Sequence, residues 1–251
     1  RLGELGRREE GLAAIQRAVE AYERLAAATP DAYLPHLAAS LNNLSLRLGE
    51  LGRREEGLAA IQRAVEAYER LAAATPDAYL PHLAASLNTL SLRLGELGRR
   101  EEGLAAIQRA VEADERLAAA TPDAYLPDLA GSLNNLSVDL AAMGRRVEGL
   151  AAIREAVRIR RTLASASPDA YSKDLATSCL VNGLLLIESA PSEEAVMLIV
   201  EGLGIAVERD LGDLTQTAIS LLRDAYRQSP SEIAEAWRNA TSTEPPKWMT
   251  H

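Results

Sequence analysis

The chain repeats itself every 46 residues over more than half of its length. Residues 47–92 match residues 1–46 at every position but one, where Thr89 replaces Asn43. Residues 93–138 introduce four changes (Asp114, Asp128, Gly131 and Val138), and residues 139–184 form a more divergent fourth copy. A single unit of this size cannot bury its apolar face alone, whereas stacked copies bury a continuous one. The sequence therefore predicts a solenoid.

Each repeat reads as two amphipathic helices. Apolar residues recur at helical spacing within residues 54–74, and Pro76 ends that helix because proline cannot continue the hydrogen-bond ladder. The next helix is expected to begin near Leu80-Pro81 and to close at Gly98 in a left-handed conformation. The prediction from these patterns is an all-α solenoid of antiparallel helix pairs. The predicted helices are 8–28, 33–51, 54–74, 79–97, 100–120, 125–143, 146–166, 171–189, 192–209, 213–228 and 231–240.

The domain organisation follows from where the pattern decays. Residues 1–210 form the repeat array with a degenerate last unit, residues 211–240 form C-terminal capping helices, and residues 241–251 form a tail. The chain opens inside a repeat and without methionine, which indicates a fragment or a processed form. An exposed apolar strip is expected at the N-terminal end, covered by upstream sequence or by self-association.

Composition narrows the class of protein. The net charge of −9 disfavours nucleic-acid binding, which needs clustered basic residues. Cys179 is the only cysteine, so an intrachain disulfide is excluded. No apolar run approaches the roughly 20 residues of a membrane span, and no secretory signal is visible, which predicts a cytoplasmic protein. Arginine outnumbers lysine 25 to 2, which is typical of a GC-rich bacterial genome.

Motifs for catalysis are missing from the sequence: it has no phosphate-binding glycine loop, HExxH motif or nucleophile elbow. We therefore predict no enzyme activity, no cofactor and no metal site. His36 and His82 occupy one repeat position, where the third copy has Asp128; solvated residues at a helix start explain all three, and a metal site is the alternative. Cys179 replaces a core leucine, which favours a buried thiol over a nucleophile.

The helix pair resembles a tetratricopeptide repeat. In that motif, helix A carries a large residue, a leucine, a small residue and another large residue, here Leu41, Leu44, Ser45 and Leu48; helix B carries a small, a large and a small residue, here Gly57, Ile61 and Ala64. The period exceeds the usual ~34 residues. The long period and the LNNLS string resemble the kinesin-light-chain type, which is also found in bacterial signalling proteins. Cys179, Gly183, Ala195, Ile199 and Gly202 take the same places in the last unit.

The resemblance implies an all-α, right-handed superhelical solenoid in which helix A lines a concave peptide-binding groove. Carboxamides suit a peptide backbone because they both donate and accept hydrogen bonds. In the alternative interpretation, these asparagines bond neighbouring helices or water. The candidate groove amides and hydroxyl are Asn42, Asn43, Asn88, Thr89, Asn134 and Asn135, and the candidate apolar floor is Leu46, Leu92 and Val138.

Two further positions leave alternatives open. Arg154, Arg158, Arg160 and Arg161 form a basic cluster, which reads as a solvated helix face paired with acids or as a site for an acidic partner. Asn182 falls where Leu44 would be, so that either a polar group is buried there or the register slips by one residue.

The expected function is that of a protein-interaction scaffold whose groove binds a peptide or a partner domain. The alternatives are a self-assembling structural module, formed through the uncapped N-terminal end, and the sensor or regulatory part of a larger bacterial signalling protein. Nucleic-acid and membrane partners are not expected.

Overall fold

The fold is built from consecutive helices that pack against each other in pairs. The computed structural model describes the backbone of residues 2–250 and the side chains of residues 9–250. The described part of the chain consists of α-helices joined by short turns and has no β-strand, which confirms the predicted all-α class of paired helices. The helices are α1 (Leu2–Ala28), α2 (Pro30–Glu50), α3 (Arg54–Ala74), α4 (Pro76–Glu96), α5 (Arg100–Ala120), α6 (Pro122–Ala142), α7 (Arg146–Ala166), α8 (Pro168–Ser189), α9 (Glu193–Glu208), α10 (Gly212–Gln228), α11 (Pro230–Thr241) and α12 (Lys247–Thr250).

Helices α2, α4, α6 and α8 are the A helices of the repeats, and α3, α5, α7 and α9 are the B helices. The chain divides into two compact units, with the boundary after Tyr125 inside α6. The first unit holds α1 to α5, and the second holds α7 to α12 with most of α6. Among the described residues, none of the helices combines the length and the apolar content that crossing a bilayer requires.

The A helices begin earlier than the sequence predicted. Helix α4 starts at Pro76, with only Thr75 between it and the end of α3, whereas the predicted start was near Pro81. Pro76 suits the first helical position because its missing N–H has no partner there in any case. Pro81 instead lies inside α4, where it removes the bond to the carbonyl of exposed Asp77, which water can reach. The first proline, not the second, therefore sets the helix start.

The turn between helix A and helix B depends on a left-handed glycine. Gly52, Gly98 and Gly144 have φ values of 73°, 75° and 76°, as the sequence predicted for Gly98. The Arg99 N–H donates to the Leu94 carbonyl at 2.9 Å and so closes the end of α4. A side chain at φ > 0 is strained, because its Cβ approaches the following carbonyl oxygen.

Gly98→Ala is expected to lower the free energy of unfolding by about 1 kcal/mol, the cost of a left-handed non-glycine residue. Urea denaturation followed by circular dichroism measures it. Gly95→Ala is the matched control: it lies in α4 with open space around its Cα, and alanine there is expected to stabilise by about 0.5–1 kcal/mol. Equal effects of the two substitutions would contradict the role of the turn.

Small residues allow helices A and B to approach each other closely. A Cβ placed on Gly57 or Gly103 would lie 3.3 Å from the carbonyl oxygen of Ser45 or Ser91, and one on Gly149 only 2.9 Å from that of Ser137. The glycine therefore weakens helix B by roughly 0.5–1 kcal/mol but permits a contact that alanine would crowd.

The C-terminal helices share one apolar cluster with α8 and α9 in the second unit. Leu222 of α10 and Ile233 of α11 are fully buried, and Trp237 packs edge-on against Trp248 with ring centroids 6.0 Å apart. The segment 241–251, predicted to be a tail, contains α12, whose Met249 is only 2% exposed. The Arg223 Nε donates to the Trp248 carbonyl at 2.5 Å and ties α12 to α10.

The N-terminal end was predicted to carry an exposed apolar strip. Helix α1 begins at Leu2, before the predicted start at residue 8, and its first side chains lie outside the described residues. Among its described side chains, Leu25 is 40% exposed.

Candidate functional site

The A helices turn one side into the core and leave a second side open. In α2, Leu41 is 1% exposed, Ser45 is fully buried and Leu48 is 2% exposed. Leu46 lies on the other side and is 40% exposed; Leu92 of α4 and Val138 of α6 occupy the same repeat position at 54% and 47%. We name this side the Asn–Leu face. In the first unit it carries Asn42, Asn43 and Leu46 on α2 and Asn88, Thr89 and Leu92 on α4; in the second unit, taken by itself, α6 carries Asn134, Asn135 and Val138 at the same repeat positions.

The first asparagine of each helix is half-buried and makes structural hydrogen bonds. The Asn42 Oδ1 accepts from Ser86 Oγ of α4 at 3.2 Å, and the Asn134 Oδ1 accepts from Ser178 Oγ of α8 at 2.9 Å. The Asn88 Nδ2 donates to the Ala84 carbonyl at 3.2 Å. The oxygens of Asn42 and Asn134 thus join neighbouring A helices, as the alternative interpretation of these amides required.

The second position of each pair is more open to solvent. Asn43 and Asn135 are exposed, and Thr89 is half-buried, with its Oγ1 donating to the Ala85 carbonyl at 3.2 Å. In the first unit, α2 and α4 are in contact, and Asn43 and Leu46 on α2 occupy the same repeat positions as Thr89 and Leu92 on α4. These positions offer exposed apolar side chains beside polar groups.

The basic cluster divides into exposed and buried members. Arg158 pairs with Glu155 of its own helix, Arg154 pairs with Glu194 of α9, and Arg161 pairs with Glu201 of α9. The prediction of a solvated, acid-paired face is thus correct for these three.

Arg160 contradicts the prediction, because it is only 8% exposed. Its Nη1 donates to Ser178 Oγ at 2.5 Å and to the Asp174 carbonyl at 2.9 Å. Burial lowers the pKa of the guanidinium, and the neighbouring Asp174 opposes that shift. The burial of Arg160 could have been predicted from the repeat register, because Arg160 occupies the repeat position of the half-buried Tyr22 and the buried Tyr68.

The two histidines are packed against aromatic rings. His36 stacks on Tyr22 and His82 on Tyr68, each with ring centroids 5.4 Å apart. The third copy replaces both partners of this stack, with Asp114 and Asp128. Burial raises the pKa of the Asp128 carboxyl. Across residues 9–250, no group of three histidine, cysteine or acidic side chains is arranged to hold a metal ion.

Cys179 and Asn182 keep the repeat register and are buried. Cys179 is fully buried, and burial raises the pKa of its thiol to about 12, so that the thiol is protonated near neutral pH and is a poor nucleophile. Asn182 is 2% exposed, and its Oδ1 has no hydrogen-bond partner. Of the two alternatives for Asn182, the burial of a polar group is correct.

Comparisons with known proteins agree with this architecture. The tetratricopeptide repeat family model matches residues 37–74 and 129–169. The crystal structure of BtubC (BKLC) from P. vanneervenii superposes with a TM-score of 0.67 at 18% identity, covering 96% of this chain and 94% of that one. No curated protein matches the chain.

Two further crystal structures share the fold. The apo form of RapI gives a TM-score of 0.64 at 14% identity, covering 95% of this chain and 77% of that one. The nearly identical TPR-like repeats of a Podosopora anserina protein named as a kinesin light chain give 0.54 at 18%, covering 82% and 97%. At these identities the likeness concerns the fold alone. The family match places tetratricopeptide repeats within residues 37–74 and 129–169, and the structural likeness shows that the chain as a whole shares the fold of these proteins.

Proposed function

We propose that this chain is a protein-interaction scaffold that binds a peptide segment of a partner on the Asn–Leu face, and that it is not an enzyme. One observation carries the proposal: Leu46 and Leu92 are 40% and 54% exposed at the same position of two packed A helices. Exposed leucines that recur in register form an apolar surface that a monomer would otherwise tend to bury.

The polar residues of the face have two different roles in this proposal: some bind the peptide and others position the helices. Asn43 and Thr89 are placed to hydrogen-bond a peptide backbone, because they lie beside the exposed leucines and reach solvent. Asn42 and Asn134 act mainly by positioning, since their oxygens hold the neighbouring A helix. Asn135 and Val138 repeat the arrangement on α6 in the second unit.

The free energy that hydrogen bonds can contribute limits their share of peptide binding. Each hydrogen bond contributes about 0.5–1.5 kcal/mol, whereas micromolar affinity needs about 8 kcal/mol. The leucines must therefore supply a large share, at about 25 cal/mol per Å² of apolar surface buried.

The test is a selection of displayed random peptides on the whole chain, followed by affinity measurement with labelled peptides. We expect Leu46→Asp with Leu92→Asp to weaken selected peptides by about thirtyfold, because two apolar contacts worth about 1 kcal/mol each are lost. Leu25→Asp is the control, since Leu25 is equally exposed but lies on α1, away from the face. Peptides that bind both variants like the unchanged chain would contradict the proposal.

Self-association through the N-terminal end remains a second prediction, supported by the exposure of Leu25. Light scattering over a concentration series tests it. A rise in mass that Leu25→Asp removes would support self-association, and a constant monomer mass would contradict it.

A further inference from the structure

A largely buried arginine of helix B lies next to the Asn–Leu positions of α6 in the second unit. Arg160 of α7 is 8% exposed. Its Nη1 donates to Ser178 Oγ at 2.5 Å, to the Asp174 carbonyl at 2.9 Å and to Asn134 Oδ1 at 3.4 Å. Because Asn134 occupies the first Asn–Leu position of α6, the guanidinium of Arg160 borders this face.

The hydrogen-bond acceptors around this guanidinium are all neutral. Within the described part of the chain they are a hydroxyl, a main-chain carbonyl and a carboxamide oxygen. Arginine keeps its charge near neutral pH, and a charge taken out of water is costly unless an opposite charge lies beside it. Folding has already removed most of the water from Arg160, so an incoming carboxylate gains the ion pair without paying that part of the desolvation.

The Nε and Nη2 groups of Arg160 form an open edge. Among the described residues, every hydrogen bond of Arg160 uses Nη1, and neither Nε nor Nη2 belongs to the fully enclosed side-chain atoms that lack a partner. Both groups therefore keep contact with solvent. The same edge of Arg99 holds the two carboxylate oxygens of Glu102, at 2.7 Å from Nε and 2.6 Å from Nη2. Such paired, charge-assisted bonds are the geometry in which arginine recognises carboxylates.

Gly131 of α6 leaves room in front of this edge. The first two copies have Ala39 and Ala85 at its position. A Cβ on Gly131 would have a single heavy atom within 4 Å outside the neighbouring backbone of α6, which is the Arg160 Nη2 at 4.0 Å. The place of the missing methyl group is therefore open, and an oxygen atom entering beside it comes within hydrogen-bond distance of Nη2.

The first unit has a different pair at these repeat positions. There Tyr68 of α3 stacks on His82 of α4 with ring centroids 5.4 Å apart, whereas the second unit has Arg160 and Asp174. The near-identical copies thus provide an internal reference in which an aromatic pair fills the place of the guanidinium. The change to Arg160 and the loss of the methyl group at Gly131 meet at one point of the structure.

We propose that the open edge of Arg160, beside Gly131, binds the carboxylate of an aspartate or glutamate side chain in the partner peptide. The inference rests on the proposed function, because the acidic residue belongs to a peptide on the Asn–Leu face. Charge complementarity selects this occupant: a neutral side chain leaves the buried charge without an opposite charge, and a basic side chain is repelled by it.

The test uses two blocked tripeptides that differ in one group. Acetyl-Ala-Asp-Ala-amide carries a carboxylate, and acetyl-Ala-Asn-Ala-amide carries a neutral amide of similar shape. Each is titrated into the ¹⁵N-labelled whole chain to about 50 mM at constant ionic strength, enough to detect a Kd near 10 mM. The aspartate peptide is expected to shift the Gly131 amide signal and the Arg160 Nε–H signal. The asparagine peptide is expected to bind at least about tenfold more weakly.

Two variants remove the site in different ways. Arg160→Tyr with Asp174→His restores the Tyr68 and His82 pair of the second copy, so the variant is expected to fold. It should weaken binding of the aspartate peptide by at least about tenfold. Gly131→Ala keeps the guanidinium and restores the alanine of the earlier copies, and its methyl group should weaken binding by about threefold because it crowds the approach to Nη2.

Arg158→Met is the matched control. Arg158 lies on the same helix as Arg160 and outside the Asn–Leu face, and its side chain is 67% exposed and paired with Glu155. The substitution removes one guanidinium, as Arg160→Tyr does, but leaves the edge beside Gly131 unchanged. This variant should bind the aspartate peptide like the unchanged chain. Circular dichroism checks that every variant keeps its helix content.

Four results would overturn the proposal: no shifts with the aspartate peptide, equal binding of the asparagine peptide, full binding by Arg160→Tyr with Asp174→His, or an equal loss in Arg158→Met. The outcome is distinguishable from that of the leucine variants. Selected peptides that lose affinity for Leu46→Asp with Leu92→Asp, together with an aspartate tripeptide that does not bind, would support the Asn–Leu face and overturn the acidic site. Binding of the tripeptide without any selected peptide would support the carboxylate site and contradict the face.

Discussion

Trp237→Ala is expected to lower the free energy of unfolding of the second unit by about 4 kcal/mol, the usual cost of removing a large buried aromatic side chain. Trp237 is 8% exposed and packs against Trp248, and its Nε1 donates to Thr243 Oγ1 at 3.2 Å. Its loss opens a cavity beside Ile233 and Met249 and frees α12 from its main aromatic contact.

Fluorescence gives a direct readout, because Trp237 and Trp248 are the only tryptophans. In Trp237→Ala the remaining emission comes from Trp248, and release of α12 shifts it to longer wavelength. Trp237→Phe is the control: it keeps most of the apolar contact, loses the bond to Thr243, and should cost about 1 kcal/mol. An unshifted emission together with unchanged stability would show that α12 does not dock as described.

Gly183→Val is expected to lower the free energy of unfolding by about 3 kcal/mol through overpacking of the α8–α9 contact. A Cβ on Gly183 would lie 2.5 Å from Ile199 Cγ1 and 3.0 Å from the Ala195 carbonyl oxygen, far inside normal contact distance. The backbone oxygen cannot turn away as a flexible side chain can, so α8 and α9 must separate. Urea denaturation gives the free energy, and hydrogen exchange of the α8 and α9 amides locates the damage.

The control lies on the partner helix. Gly204 of α9 has open space around its Cα, so Gly204→Val should change the free energy by no more than about 0.5 kcal/mol. If the two valine variants had the same stability, close packing would not be the reason for glycine at position 183.

The Gly183 contact illustrates what repeat register predicts. In the earlier repeats, the small pair is Ser45 on helix A and Gly57 on helix B; in the last unit it is Gly183 and Ala195. The positions are predictable from the 46-residue period, because stacked units must reuse one packing geometry. The glycine of the pair lies on helix B in the earlier repeats and on helix A in the last unit. The reason is the distance between the two backbones at the contact, which a local sequence pattern does not give.

The candidate sites differ in how much the sequence predicted. Exposure of Leu46, Leu92 and Val138 follows from helical periodicity, since buried Leu41 and Leu48 leave them on the other side of the helix. The hydrogen bond from Ser86 to Asn42 joins residues 44 positions apart and requires the two A helices to be in place. The hydrogen bonds of Arg160 to the Asp174 carbonyl and to Ser178 likewise join a residue of α7 to residues of α8.

The amino-acid sequence by itself determined the helix pairs, their period, the left-handed glycines and the buried A and B faces. These features depend on the spacing of residues within one helix and on the repetition of one unit along the chain, and both can be read directly from the sequence. The tertiary structure alone decided that Arg160 is buried, that residues 247–250 form a helix whose Trp248 packs on Trp237, and that Asn182 is buried with an Oδ1 that has no hydrogen-bond partner. Each of these depends on which side chains from distant helices become neighbours, because those neighbours determine whether a group is buried and whether it is hydrogen-bonded.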